Sequence, residues 1–159
     1  MSSRSTEILY AGLSADAISV EQALAAVDAP DCGAAVSFSG VVRNHDGGRD
    51  VARLSYSAHP SAARILAEVV ESAARQDAPA GPSGGLRIWA AHRVGPLEVG
   101  EAALVCAVAA PHRGAAFAAC TAVVDRIKEE VPIWKEQFFA DGTVEWVGAG
   151  GAESASEPG

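Results

Sequence analysis

The chain contains two lysines, Lys128 and Lys135, and both lie in the short segment Lys128-Glu-Glu-Val-Pro-Ile-Trp-Lys135. Arginine supplies every other basic residue. A guanidinium stays charged at any working pH, whereas an ammonium in a partly dry site near other cations can lose its proton and act as a base or nucleophile. The two lysines are therefore a candidate catalytic site. The alternative is that both are surface charges, with Lys128 in the last turn of a helix, where a cation is favoured.

Two further motifs carry residues suited to an anion. His112 and Arg113 stand in Pro111-His-Arg-Gly114, where a predicted strand leads into a predicted helix, and a helix N-terminus with its unpaired N–H groups suits a phosphate or carboxylate. Arg43 ends another predicted strand and is a second candidate anion contact, unless it is a solvated strand end. A helix from Arg113 to Lys128 would separate their Cα atoms by about 22 Å. A single chain would struggle to bring both residues to one small ligand, whereas a symmetric dimer could do so.

Other polar side chains give weaker indications. His45 and Asp46 have no further ligands at suitable spacing, so no metal is expected, and no cofactor is expected either. Cys32, Cys106 and Cys120 are odd in number and lack a CxxC spacing. Nothing basic lies near them in sequence to lower a thiol pKa, so we expect reduced, mostly buried cysteines of a cytoplasmic protein.

Composition limits the class of protein. The length of 159 residues suits one domain with its own core, and a hydrophobic content of 49% is typical of globular proteins. The net charge of −8 argues against a nucleic-acid partner. The longest apolar run, Ala102 to Ala110, is too short to span a membrane. The N-terminus lacks the apolar core of a signal peptide.

The elements that must hold the candidate residues follow from periodicity and from helix and turn signals. The capping-box pattern Ser19-Val-Glu-Gln22 predicts a first helix, and a helical stripe after His59-Pro60 predicts a second. A third helix is expected to follow Pro111, to bury Phe117, Cys120, Val124 and Ile127 on one side, and to stop at Pro132. The predicted strands are 34–43, 51–58, 86–92, 102–110 and 143–147, with a flexible loop at 44–49, a linker at 77–85 and a disordered tail at 148–159. This order predicts an α+β fold with a largely antiparallel sheet and flanking helices.

Four ordered motifs give the chain a resemblance to a known family. They are Phe38-Ser-Gly-Val-Val-Arg-Asn-His45, His92-Arg-Val-Gly-Pro-Leu97, Pro111-His-Arg-Gly-Ala-Ala-Phe117 and the segment from Lys128 to Lys135. In order and spacing they resemble the large catalytic subunit of molybdopterin synthase, over about Ser19 to Val147.

The resemblance implies an α/β-hammerhead-like fold, one domain over residues 1–147, and a homodimer within a heterotetramer. The implied partner is a small ubiquitin-like sulfur carrier with a thiocarboxylate on its C-terminal Gly-Gly. The implied reaction passes two sulfurs from that carrier to cyclic pyranopterin monophosphate and forms the molybdopterin dithiolene. No nucleic acid or membrane takes part, and the sulfur does not come from a cysteine of this chain.

The resemblance also implies roles for individual residues. Lys128 and Lys135 are the catalytic residues, with Lys128 the better candidate for acid–base work. The residues implied to bind substrate are Val41, Val42, Arg43, His112, Arg113, Lys128, Lys135, Glu136 and Gln137. Ser57-Ala58-His59 and Glu136-Gln137 depart from the family's pattern in the part implied to form the channel for the partner's tail. The alternative function is a non-catalytic dimeric scaffold that binds the ubiquitin-like partner or an anionic metabolite.

Overall fold

The structure, a computed structural model, describes residues 5–77, 85–148 and 154–155. The strands within these ranges are β1 Glu7–Ser14, β2 Ala34–Val41, β3 His45–Asp46, β4 Arg49–Ala58, β5 Arg87–Arg93, β6 Gly95–Glu98, β7 Ala102–Ala110, β8 Ile133–Phe139, β9 Val144–Val147 and β10 Ser154–Ala155. The helices are α1 Val20–Val27, α2 Ala62–Ser72 and α3 Arg113–Glu130, and a π-helical turn, Ala73–Asp77, continues α2.

The first sheet has the strand order β1-β5-β7-β2. β1 runs parallel to β5, and the other two pairs are antiparallel. β7 coincides with the longest apolar run of the sequence and is buried from Ala103 to Ala110. A strand covered on both faces has a continuous apolar sequence instead of an alternating one. The uninterrupted run therefore marks the centre of the sheet.

Alternate residues of β7 face two different helix layers. Cys106 and Val108 belong to the larger core, which α2 and α3 cover. Val105 and Ala107 belong to a smaller core on the opposite face, which α1 covers. The sheet is thus enclosed between two helical layers, and α3 is fixed along its whole length against the larger core.

A second sheet has the order β10-β9-β8-β4-β3, and β6 pairs with the other edge of β4. Its main pairing joins β4 to β8 in antiparallel register. A third, small core of Val42, Leu54, Leu97 and Ala103 lies where this sheet meets the end of β2, and Tyr56 packs against it. This junction between the two sheets positions the candidate site.

Most of the predicted elements are confirmed, as is the α+β class with a largely antiparallel sheet. α1 begins at Ser19, whose hydroxyl oxygen accepts a hydrogen bond from the Gln22 N–H at 3.1 Å. α3 ends at Glu130, two residues before Pro132, as the missing donor of proline requires.

Five strands of the described residues were not predicted: β1, β3, β6, β8 and β10. β8 changes the setting of Lys135, which lies inside a paired strand and not on a connecting segment. The predicted flexible loop at 44–49 is also wrong, because β3 and β4 form a tight hairpin there. Gly47 and Gly48 make its turn with φ values of 58° and 80°, a backbone conformation that favours glycine.

Phe117 is a further correction, since it was predicted on the buried side of α3 and is 59% exposed. Its predicted neighbours Cys120, Val124 and Ile127 are buried, together with Ala116 and Val123. Phe117 therefore lies just outside the stripe that packs on the sheet.

Part of the predicted organisation lies outside the described residues. This applies to most of the linker at 77–85 and to most of the tail at 148–159, so one domain over residues 1–147 with a disordered tail stays a prediction. Within the described ranges, no helix is both long enough and apolar enough to cross a membrane.

Candidate functional site

Lys128 and Lys135 lie on two different elements that meet at one place. Lys128 is in the last turn of α3 and its side chain is exposed, whereas Lys135 is the third residue of β8 and is half-buried. The short connection between α3 and β8 is anchored to the segment that follows β4, because the His59 N–H donates a hydrogen bond to the Pro132 carbonyl oxygen at 3.0 Å. The end of the helix and the start of the strand therefore hold the two ammonium groups near each other.

The surroundings of Lys135 lower its pKa. Burial is the main cause, because an ammonium loses hydration in a partly dry site. The positive charges of Lys128 and Arg43 lower the pKa further, whereas the negative charges of Asp46 and Glu145 raise it. Lys135 thus lies among two cations and two carboxylates, a setting in which it can release a proton more easily than a solvated lysine.

Arg43 reaches the site from the end of β2. Its Nη2 lies 3.6 Å from Asp46 Oδ1, and its side chain remains 66% exposed, so the guanidinium is open to a ligand. The two preceding residues differ, because Val41 is exposed and Val42 is buried in the third core. Val42 is also held by backbone hydrogen bonds to the turn at Gly100 and Glu101. The anchored Val42 fixes the direction in which Arg43 leaves the sheet.

The two residues after Lys135 occupy opposite faces of β8, because side chains alternate along a strand. Gln137 shares the face of Lys135 and is 3% exposed. Its Nε2 donates to Asp46 Oδ2 at 2.8 Å and to Glu145 Oε1 at 3.1 Å. Glu136 lies on the other face, so the structure does not bring it to the lysines.

Tyr56 and His92 belong to the site but were not among its predicted residues. Tyr56 is the cross-strand neighbour of Lys135 on β4, and its ring meets the His92 ring edge-on at a centroid distance of 4.8 Å. Burial raises the pKa of Tyr56 to about 12. Tyr56 lies in the predicted strand 51–58 and His92 ends the predicted strand 86–92, so the sequence carried a signal for each of them.

His92 is held as a neutral imidazole. Burial lowers its pKa to about 4, and the charge of nearby Lys128 also lowers it. Nδ1 lies 2.7 Å from the Arg93 carbonyl oxygen. A carbonyl can only accept, so Nδ1 carries the hydrogen and Nε2 keeps its lone pair. His92 therefore keeps Nε2 as a hydrogen-bond acceptor.

His112 and Arg113 are not brought to the lysines of the same chain. His112 is the N-cap residue of α3 and Arg113 its first residue, and both are exposed. Lys128 lies at the other end of the same helix, about 22 Å away at the usual rise per residue. If these two residues act with the lysines, another copy of the chain must provide them.

The described residues around Lys135 are suited to anion binding and proton transfer. Within residues 5–77 and 85–148, no three His, Cys, Asp or Glu side chains lie together as a metal site would require. Arg43, Lys128 and Lys135 instead present three cationic groups around the half-buried position of Lys135. Such a group can hold a phosphate or a developing oxyanion and exchange a proton with it.

Fold and site together define an α+β protein whose paired lysines and one arginine converge at the junction of two sheets. Residues 13–130 match the family described as MoaE protein. The chain belongs to this family.

Curated proteins and a solved structure are similar to this chain over most of its length. The chain is 41% identical to molybdopterin synthase catalytic subunit 1 of Mycobacterium tuberculosis, over 87% of this chain and 90% of that protein. It is 38% identical to the molybdopterin synthase catalytic subunit of Bacillus subtilis, over 82% of this chain and 80% of the relative. The crystal structure of molybdopterin synthase from Staphylococcus aureus superposes with a TM-score of 0.75 at 33% identity, over 86% of this chain and 95% of that one.

Proposed function

We propose that this protein is the catalytic subunit of a molybdopterin synthase. It transfers two sulfurs to cyclic pyranopterin monophosphate, one from each of two small ubiquitin-like carriers that are thiocarboxylated on their C-terminal Gly-Gly, and this yields the molybdopterin dithiolene. The observation that carries this proposal is the convergence of Arg43, Lys128 and Lys135 in a member of the MoaE family.

The chemistry needs both anion binding and proton transfer. Arg43 is suited to the cyclic phosphate, because a guanidinium is permanently charged and can form two parallel hydrogen bonds. A thiocarboxylate that gives up its sulfur becomes a carboxylate by taking an oxygen from water, so the protons of that water must be removed and passed to a leaving group during the transfer. The lowered pKa of Lys135 favours this lysine for that step, whereas the sequence had favoured Lys128. The exposed Lys128 is then suited to polarise the thiocarboxylate carbonyl.

The working unit is a homodimer in which His112 and Arg113 of one copy complete the lysine site of the other. The exposed Phe117 supports this arrangement, since it lies one helical turn from Arg113 on the same face of α3. Phe117 also borders an apolar groove of about 300 Å³ that Val36, Phe38 and Val124 help to line. A second copy seated there would cover Phe117 and carry Arg113 into the interface.

Each end of the dimer binds one copy of the small carrier, which gives a heterotetramer, and the protein acts in the cytoplasm. The carrier's C-terminal tail reaches the lysines from solvent. Val41 lies two residues before Arg43 and is exposed, so it is available to contact that tail.

The decisive experiment is a reconstituted assay with thiocarboxylated carrier and cyclic pyranopterin monophosphate, read out as dithiolene formed. Wild-type protein should form the product, and Lys128→Arg should lower the rate by at least about tenfold, because arginine keeps the charge but not the shape of the ammonium. Full activity of Lys128→Arg would show that charge alone suffices. If the wild-type protein binds the carrier tightly but forms no product, the non-catalytic scaffold would be the correct function instead of the enzyme.

A further inference from the structure

Three polar residues around Lys135 are joined by hydrogen bonds that have no role in the proposed reaction. Asp46 comes from β3, Gln137 from β8 and Glu145 from β9. The Gln137 amide nitrogen lies 2.8 Å from a carboxylate oxygen of Asp46 and 3.1 Å from one of Glu145. Three separate strands therefore meet in one hydrogen-bonded group beside the lysine.

The amide of Gln137 is suited to join two carboxylates. It has two N–H hydrogens, and each can be donated to one of the two acceptors. A glutamate at this position would have no hydrogen to donate in its ionised form and would add a third negative charge. The departure from the family pattern at position 137 thus fits the pair of carboxylates around it.

Strand register places this group against Lys135. Gln137 lies two residues after Lys135 on β8, so both side chains emerge on the same face. Glu145 is the direct cross-strand neighbour of Gln137 on β9. Asp46 approaches from the β3–β4 hairpin and contacts Arg43 at 3.6 Å as well. The two carboxylates are therefore held at fixed points and do not move freely in solvent.

The charges that surround Lys135 show what the group does. Arg43 follows β2, and Lys128 lies at the end of α3. The positive charges of both residues lower the pKa of Lys135. Tyr56 on β4 is the cross-strand neighbour and is neutral at working pH. Asp46 and Glu145 are the opposing negative charges, so without them three cations would face each other.

We propose that Asp46 and Glu145, joined by Gln137, are positioning residues that hold the Lys135 ammonium in place and fix the pH at which it gives up its proton. We call these three residues the carboxylate clamp. This inference rests on the proposed function, in which Lys135 exchanges a proton with the reacting groups. Its physical part, the effect on Lys135, can be measured without any reaction.

The chain is well suited to this measurement because it has two lysines. Lysine labelled with ¹³C at Cε should give two signals in the full-length protein, and Lys128→Arg identifies the signal of Lys135. Asp46→Asn and Glu145→Gln should each lower the titration midpoint of Lys135 by about one pH unit, since each removes one nearby opposite charge. Gln137→Glu should raise the midpoint, because it adds one.

A matched control is Glu129→Gln, which removes one negative charge from the exposed end of α3 and should leave the Lys135 midpoint unchanged. The opposite directions expected for Asp46→Asn and Gln137→Glu separate the clamp from a general loss of structure. An unchanged midpoint in both Asp46→Asn and Glu145→Gln would overturn the proposal. So would a shift in the same direction for Gln137→Glu and Asp46→Asn.

The reconstituted reaction tests the catalytic part. The limb of the pH profile of kcat/KM that Lys135 governs should move to lower pH in Asp46→Asn and to higher pH in Gln137→Glu. A midpoint shift without any movement of that limb would overturn a role of the clamp in the reaction. If wild type forms no dithiolene while the midpoints move as expected, the clamp stands and the proposed function fails.

Discussion

At the residue scale, the site is defined by which charges are buried and which remain in solvent. Lys135 is half-buried and Lys128 is exposed, although the two residues stand in one short motif. The sequence made both lysines candidates because lysine is rare in this chain, and Arg43 a candidate because it ends a predicted strand. It gave only weak signals for His92 and Tyr56, because their ring contact joins strands that are far apart in the chain.

His92 should make stability depend on pH. Its pKa is about 4 in the folded protein and about 6.5 when it is solvated, so unfolded chains bind a proton first as the pH falls. Stability is thus complete above about pH 6.5 and declines toward pH 4, by at most about 3 kcal/mol from this group. Urea denaturation from pH 7.5 down to pH 4.5 should show a shallower decline for His92→Gln than for wild type.

The exposed His45 is the matched control for this pH dependence. His45→Gln should keep the decline of the wild-type protein. Equal declines in His92→Gln and wild type would contradict the assignment of a buried neutral imidazole to His92.

At the scale of elements, prediction succeeded where one physical signal decided the structure. The capping box fixed the start of α1, and proline fixed the end of α3. β8 was missed because Lys135, Glu136 and Gln137 interrupt the apolar alternation that identifies a strand. β1 was missed because its place depends on parallel pairing with β5, a contact that no local pattern records.

The β3–β4 hairpin gives a prediction for its turn. Gly47→Ala should lower the free energy of unfolding by about 1 kcal/mol, because alanine is strained at the positive φ of this position. No atom would meet the added methyl group within 4 Å, so the loss is one of backbone conformation. Urea denaturation measures it.

Gly114→Ala should instead raise the free energy of unfolding. Gly114 lies in the first turn of α3, where an added methyl group also meets nothing within 4 Å, and alanine favours the helix by about 0.5 kcal/mol. Similar losses in Gly47→Ala and Gly114→Ala would refute the argument from backbone conformation.

At the scale of the whole molecule, the α+β class could be predicted from the order of elements, and the family from four motifs. The site could be predicted only in part, because Arg113 and Lys128 lie near opposite ends of α3 within one chain. The second copy that we propose to complete the site would be a property of an assembly, which a single chain does not contain.

Mixing Arg113→Ala with Lys128→Ala should restore activity that neither variant has alone. A heterodimer of the two contains one intact site, in which Lys128 of one copy meets Arg113 of the other. The measurement is dithiolene formation by purified heterodimers, with each homodimer as the baseline.

Phe117→Glu supplies the control, because a charge on the exposed apolar face should weaken the dimer, as size-exclusion chromatography with light scattering would report. Introduced into both variants, it should abolish the recovery. Heterodimers that are present but inactive would rule out the shared site.

The short connection through Pro132 has a consequence for motion. Lys128 belongs to α3, which packs on the larger core, and Lys135 belongs to the second sheet. The distance between the two ammonium groups therefore depends on the relative position of these two layers. A ligand that contacts both lysines restricts the motion of one layer relative to the other. Occupancy of the site should therefore slow amide hydrogen exchange in β8 and in the last turns of α3 together, as though the two were parts of one rigid body.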